Sequence, residues 1–161
     1  MLLGTIQAKA QYYPEVEYYM EEEYAPEGEP THLHSRVDSV LMEANKYMGT
    51  PYRWGGKAPG GFDCAGFVRY VYSKFGVSLA PAAPPQYRQG SPVKRSDLRP
   101  GDLVFFGGSR NPKAIGHVGI VTSVGVDEFF FIHASNSGVR VSTSKETYYR
   151  HRYISACRVL E

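Results

Sequence analysis

An α+β fold, with helices packed on one face of a five- to six-stranded antiparallel sheet, is what this sequence predicts. Three observations carry the prediction. Apolar residues recur at helical spacing between residues 37 and 75. Beyond residue 100 they fall instead into short strand-like runs parted by Pro, Gly, Asn and Asp. The 161 residues, 42% hydrophobic and 14% aromatic, match one globular domain with a modest extension. Helices first and strands after define the class, and no internal repeat is visible.

Three segments follow in order. Residues 1–10 end in Ala8-Lys9-Ala10, the small-x-small form of a signal-peptidase site, after the apolar Leu2, Leu3 and Ile6. They read as the remnant of a secretory signal, which would leave Gln11 as the mature start, or as an ordinary N-terminus. Residues 11–34 hold seven Glu and no Lys or Arg, and read as an acidic leader or linker, with a short helical turn around Val16, Tyr19 and Met20. Residues 35–161 carry 17 Lys and Arg against nine Asp and Glu, and form the folded domain.

Within that domain Val37, Val40, Leu41, Ala44, Tyr47 and Met48 mark a first helix, capped by Ser35 and stopped by Gly49. Asp63 caps a second helix whose apolar face is Phe67, Val68, Val71, Tyr72 and Phe75, ending at Gly76. Phe62 before the cap and Phe67 one turn in form a hydrophobic staple, which sets the direction of Cys64. Residues 80–92, rich in Pro and Gln, read as a surface loop. Strands are expected at Asp102–Phe106, His117–Val124, Glu128–Ala134, Val139–Thr143 and Tyr153–Leu160.

Composition excludes several classes. No run approaches the roughly 18 apolar residues of a membrane span. Two cysteines are too few for a disulfide framework, and Cys157, inside the last strand, reads as a buried small hydrophobe. The basic residues are dispersed and follow no nucleic-acid recognition motif.

Cys64 is the candidate nucleophile. A thiol in the first turn of a helix sits at the positive end of the backbone dipole, which favours the thiolate. His117 opens one strand and His133 lies in the apolar Phe129–Ala134, where a buried ring must find a partner. Singly, each is more often a core or surface residue. Together, in the order Cys, His, then a further polar residue, they fit a nucleophile, its base, and a group that orients the base. Three ligands of a metal site is the rival, but no Cys-x-x-Cys or His-x-x-x-His spacing supports it, and no metal or cofactor is expected. His32-x-His34 reads as polar linker.

Five blocks then make a family resemblance specific. Tyr52-Arg53-Trp54-Gly55-Gly56, Phe62-Asp63-Cys64-Ala65-Gly66-Phe67, Gly101–Phe106, His117-Val118-Gly119-Ile120-Val121 and Phe131-Ile132-His133-Ala134 stand in the order and spacing of the NlpC-type cell-wall endopeptidases. The resemblance spans residues 36–160. It implies a papain-like cysteine peptidase with Cys64 as nucleophile, His117 as base and acid, and His133 orienting His117. By the same resemblance Tyr52 lies beside the nucleophile and helps hold the oxyanion, while Asp63 belongs to the substrate-binding wall. Ala65 departs from the family's usual Ser, so one hydroxyl contact to substrate is lacking.

The implied reaction is cleavage of peptidoglycan stem peptides between γ-D-glutamate and the diamino acid, through an acyl-enzyme. The expected partners are stem peptides or muropeptides, with no nucleic acid, on a monomer located in the periplasm, envelope or medium. A CHAP-like N-acetylmuramoyl-L-alanine amidase has the same Cys-then-His order, and a non-catalytic wall-binding domain would share the fold. The Tyr52 block and His133 favour the endopeptidase.

Overall fold

The computed structural model describes residues 35–161. The signal-like residues 1–10, the leader 11–34 and its His32-x-His34 lie outside the described residues.

Helix α1 (Arg36–Asn45) begins with a reciprocal capping box, in which Ser35 accepts from the Asp38 N–H and Asp38 accepts from the Ser35 N–H. Its buried side is Val40 and Ala44, and the chain leaves it through Gly49, at φ +83°. A two-stranded hairpin follows, β1 (Lys57–Ala58) and β2 (Gly61–Phe62), and delivers the chain into α2 (Cys64–Ser73). Phe62 and Phe67 meet with ring centroids 5.5 Å apart, so the staple read from the sequence forms.

The region 80–92 is more ordered than a loop. Pro84 and Pro85 sit in the first turn of a short helix, α3 (Ala83–Tyr87), where proline costs no backbone hydrogen bond. Beyond it β3 (Ser91–Val93) adds an edge strand. Proline-rich composition hid both, because Pro is tolerated at a helix start and at a sheet edge.

The remaining elements are β4 (Leu103–Gly107), β5 (Ile115–Val124), β6 (Phe129–Ser135), β7 (Gly138–Thr143), a four-residue helix α4 (Thr147–Arg150) and β8 (Tyr153–Arg158). They form an antiparallel six-stranded sheet in the order β3-β8-β4-β5-β6-β7, so the predicted α+β class is the observed one. The last strand in sequence is internal to the sheet. Helix α4 was not expected, being a single turn within a polar stretch.

Both faces of the sheet are covered, which explains why β4 and β6 read as near-continuous apolar runs. Leu103, Phe105, Val118, Ile120, Ile132 and Ala134 face the core beneath the helices. Val104, Phe106, Val121, Phe129 and Phe131 face a second core closed by Leu98 and Tyr149. Period-two alternation therefore puts His117 and His133, in step with Val121 and Phe131, on the second core's side.

One charge is locked inside this frame. Asp102, 1% exposed at the head of β4, holds Arg158 of β8 through contacts of 2.7 and 2.8 Å and accepts from the Arg99 N–H. Cys157 is buried and, like Cys64, free, and its thiol points to the Gln86 carbonyl.

Candidate active site

Cys64 is the first residue of α2, and four features fix it there. Asp63 Oδ1 accepts from the Gly66 N–H at 2.6 Å, closing the helix start. The Asp63 N–H donates to the Gly56 carbonyl at 2.9 Å. A Cβ on Gly66 would lie 2.0 Å from that same carbonyl, so only glycine lets the hairpin lie against the first turn. From below, the buried Gln86 donates to the Ala65 carbonyl at 3.0 Å.

The thiol reaches the end of β5, where Sγ lies 4.0 Å from the Gly116 carbonyl oxygen. Tyr52 is held nearby by a bridge to Phe62, with the Arg53 N–H donating to the Phe62 carbonyl at 3.0 Å. A cleft of about 480 Å³ opens here, and Tyr52, Cys64, Gly116 and His117 line it. Trp54, 89% exposed, stands at its edge, and Arg140, Glu146 and Tyr148 complete the far side.

His117 Nε2 lies 2.8 Å from His133 Nδ1, and the other nitrogen of His133 lies 2.7 Å from Ser142 Oγ. Gly119 makes room for this pair, since a Cβ there would meet Phe131 at 2.6 Å and His133 Cβ at 3.2 Å. Both nitrogens of His133 are thus engaged, which leaves none to bind an ion. That geometry argues against the three-ligand metal reading, which needs a free nitrogen on each histidine.

The electrostatics follow from the second core. His117 is half-buried, but Phe106, Tyr149 and His133 surround its ring at centroid separations of 6.2, 6.2 and 4.9 Å. Desolvation there pulls its pKa from 6.5 down to about 4. His133 is wholly buried and is held well below its ordinary value by burial first, then by His117 and Arg140.

The thiol departs from expectation. Burial, then the charge of Asp63, raises the Cys64 pKa, and the backbone N–H groups of Val118, Ala65 and Cys64 itself oppose this without reversing it. The helix terminus alone would favour thiolate, but here it is outweighed. Tyr52 is likewise raised, by burial and then by Cys64 and Asp63, so its hydroxyl remains a donor.

Of the residues read from the sequence, Tyr52, Cys64 and His117 line the cleft, with His133 directly behind His117. Asp63 serves as the helix cap and does not line the cleft, and Ala65 is buried under the helix start. Ser142 and Tyr149 were missed. The only signal for them was the strand-internal polarity of Ser142 and the aromatic pair Tyr148-Tyr149, both common on surfaces.

An antiparallel sheet carrying a histidine pair, set against a cysteine in the first turn of a helix, defines a papain-like α+β domain. Residues 49–158 match the NlpC/P60 family, and the chain belongs to it. It is 40% identical over 123 residues to the bifunctional muramidase/DL-endopeptidase CwlT of Bacillus subtilis, covering 76% of this chain and 36% of that protein. It is 37% identical over 128 residues to the gamma-DL-glutamyl hydrolase of the same species, covering 77% and 29%. The chain thus spans about a third of these curated relatives. Among solved structures, the NlpC/p60 domain of the peptidoglycan hydrolase SagA superposes with a TM-score of 0.61 at 35% identity, covering 75% of this chain and 97% of that one. This is a family of peptidoglycan hydrolases and DL-endopeptidases. No helix among the described residues is long and apolar enough to cross a membrane.

Proposed function

We propose that this domain hydrolyses peptidoglycan stem peptides at the γ-D-glutamyl–diamino acid bond, with Cys64 as nucleophile, His117 as general base and acid, and His133 orienting His117. The observation that carries the reading is the convergence of Tyr52, Cys64 and His117 on one cleft, with His117 Nε2 held 2.8 Å from His133. The gamma-DL-glutamyl hydrolase relative supports the choice of bond.

At neutral pH the directions of the pKa shifts describe a neutral thiol beside a neutral imidazole. His117 Nδ1 takes the Cys64 proton as sulfur attacks the scissile carbonyl carbon, and the carbonyl π electrons move to oxygen. The oxyanion accepts from the Cys64 backbone N–H and from the Tyr52 hydroxyl. Collapse of the intermediate breaks the C–N bond, and the imidazolium protonates the departing amine. Water, deprotonated by His117, then attacks the thioester, and the thiolate leaves and recovers its proton. A net-basic domain suits a substrate that carries several carboxylates.

Mass spectrometry of purified muropeptides incubated with the wild type and with Cys64→Ala tests the reading. Fragments cut after γ-D-glutamate, made by the wild type alone, are the expected result. Release of whole stem peptide from the sugar would favour the amidase. Intact muropeptides throughout would favour a wall-binding domain.

A further inference from the structure

The polar chain behind His117 does not stop at His133. His133 Nε2 lies 2.7 Å from Ser142 Oγ, and Ser142 is only 2% exposed. Strand register puts Ser142 opposite Phe131 and Arg140 opposite His133, so Arg140, Ser142 and both histidines share the second core's face. Tyr149 packs its ring against His133 with centroids 5.2 Å apart. Arg140 in turn donates to Glu146 at 2.8 Å. The groups facing His133 are therefore His117, Ser142, Tyr149 and Arg140, with Glu146 behind the arginine.

We propose that Ser142 is a positioning residue that holds the histidine pair in one tautomer, its buried hydroxyl accepting from His133 Nε2–H. This rests on the reading of Cys64 and His117 given above. In the arrangement that leaves His117 a base, Ser142 turns a lone pair toward His133. His133 must then carry its proton on Nε2 and donate to Ser142, which leaves Nδ1 to accept from His117 Nε2–H. His117 Nδ1 is consequently unprotonated and free to take the thiol proton. The opposite direction has Ser142 donate to His133 Nε2, puts protons on His133 Nδ1 and His117 Nδ1, and removes the base. One buried hydroxyl behind the pair thus holds the arrangement in which the imidazole can accept a proton.

The test combines kinetics with nitrogen-15 NMR of the imidazoles in the full chain, for wild type, Ser142→Ala, Ser142→Thr and Ser142→Cys. The wild type is expected to show His133 as the Nε2–H tautomer. Ser142→Ala is expected to lower kcat about tenfold at unchanged KM, the scale seen when a partner that orients an imidazole is removed. It is also expected to mix the His133 tautomers, and Ser142→Thr to restore both readouts. An Nδ1–H tautomer in the wild type overturns the proposal. So does a folded Ser142→Ala whose kcat falls while the tautomer stays fixed, because that is lost packing. Should Ser142→Ala fail to fold, Ser142→Cys, whose sulfur is a poor acceptor, decides: mixed tautomers support the proposal and an unchanged one sinks it. Activity retained in Cys64→Ala would instead refute the proposed nucleophile, and the tautomer, which is read without turnover, would still report on Ser142.

Discussion

Acid should unfold this domain through its histidine pair, and the size of the effect can be worked out. His117 has an ordinary pKa of 6.5 in the unfolded chain and about 4 in the folded one, because its ring is desolvated. Between those values the unfolded state binds the proton and the folded state does not, so stability rises with pH and is lost as pH falls. From pH 7 to pH 4 the linkage for this single group amounts to about 3 kcal/mol, with a slope of about 1.2 kcal/mol per pH unit near pH 5. His133, displaced in the same direction and coupled to His117, adds to it. Against a typical total stability of about 5–15 kcal/mol, a loss of that size is large.

Urea unfolding from pH 7 to pH 4, on the wild type and on His117→Gln/His133→Gln, isolates the effect. Acid effects elsewhere in the molecule are common to both proteins and cancel in the difference. The wild type is expected to lose about 3 kcal/mol more than the variant across that range. Parallel stability curves would refute the argument, as would an NMR titration of His117 with its midpoint above pH 6. With His117 as the base proposed above, the same depressed pKa puts the acid limb of kcat/KM near pH 4, since the neutral imidazole is the form that would accept the thiol proton.

Other predictions follow from single contacts. Iodoacetamide on the folded protein should modify Cys64 and spare Cys157, which is buried and pushed up to about 12; peptide mapping that finds Cys157 modified first would contradict this. Tyr52→Phe should lower kcat about 100-fold with the fold intact, if its hydroxyl supports the oxyanion; unchanged turnover removes it from that role. Asp102→Asn should cost about 3 kcal/mol in a denaturant titration, by leaving Arg158 without its buried partner, and a loss below 1 kcal/mol would show that water compensates. Asp63→Asn keeps a cap oxygen but removes a charge that raises the thiol, so alkylation of Cys64 at pH 8 should speed up; a slower rate would mean the cap geometry was lost.

Legibility in the sequence tracked how local each cause was. The second helix was readable because its cap, staple and apolar face all lie within residues 62–75, and the strands because turn residues bracket them. Helix α3 and strand β3 were hidden because proline removes the usual signals while permitting both structures at their margins. The histidine pair was readable as chemistry but not as geometry, since its 2.8 Å contact depends on the register of β5 and β6 and on the bare Cα of Gly119. Ser142 and Tyr149 escaped because no local pattern separates a serine that orients a buried imidazole from one that faces water.

The raised thiol pKa and the lowered imidazole pKa are two consequences of one arrangement. A sheet covered on both faces buries its alternating residues on either side, and His117 belongs to the face that holds Phe106, Phe131 and Tyr149. Cys64 approaches from the other layer, at the end of β5, where it meets the Gly116 carbonyl and not a cation. Asp63 adds to this, because the carboxylate that caps the helix also disfavours a neighbouring negative charge. A preformed thiolate–imidazolium pair would require both ions to form against desolvation. In the mechanism proposed above, a neutral pair needs only that the imidazole be unprotonated on the nitrogen facing the sulfur, and the charge would then form as attack begins. In such a site, proton placement among His117, His133 and Ser142 counts for more than the acidity of the cysteine.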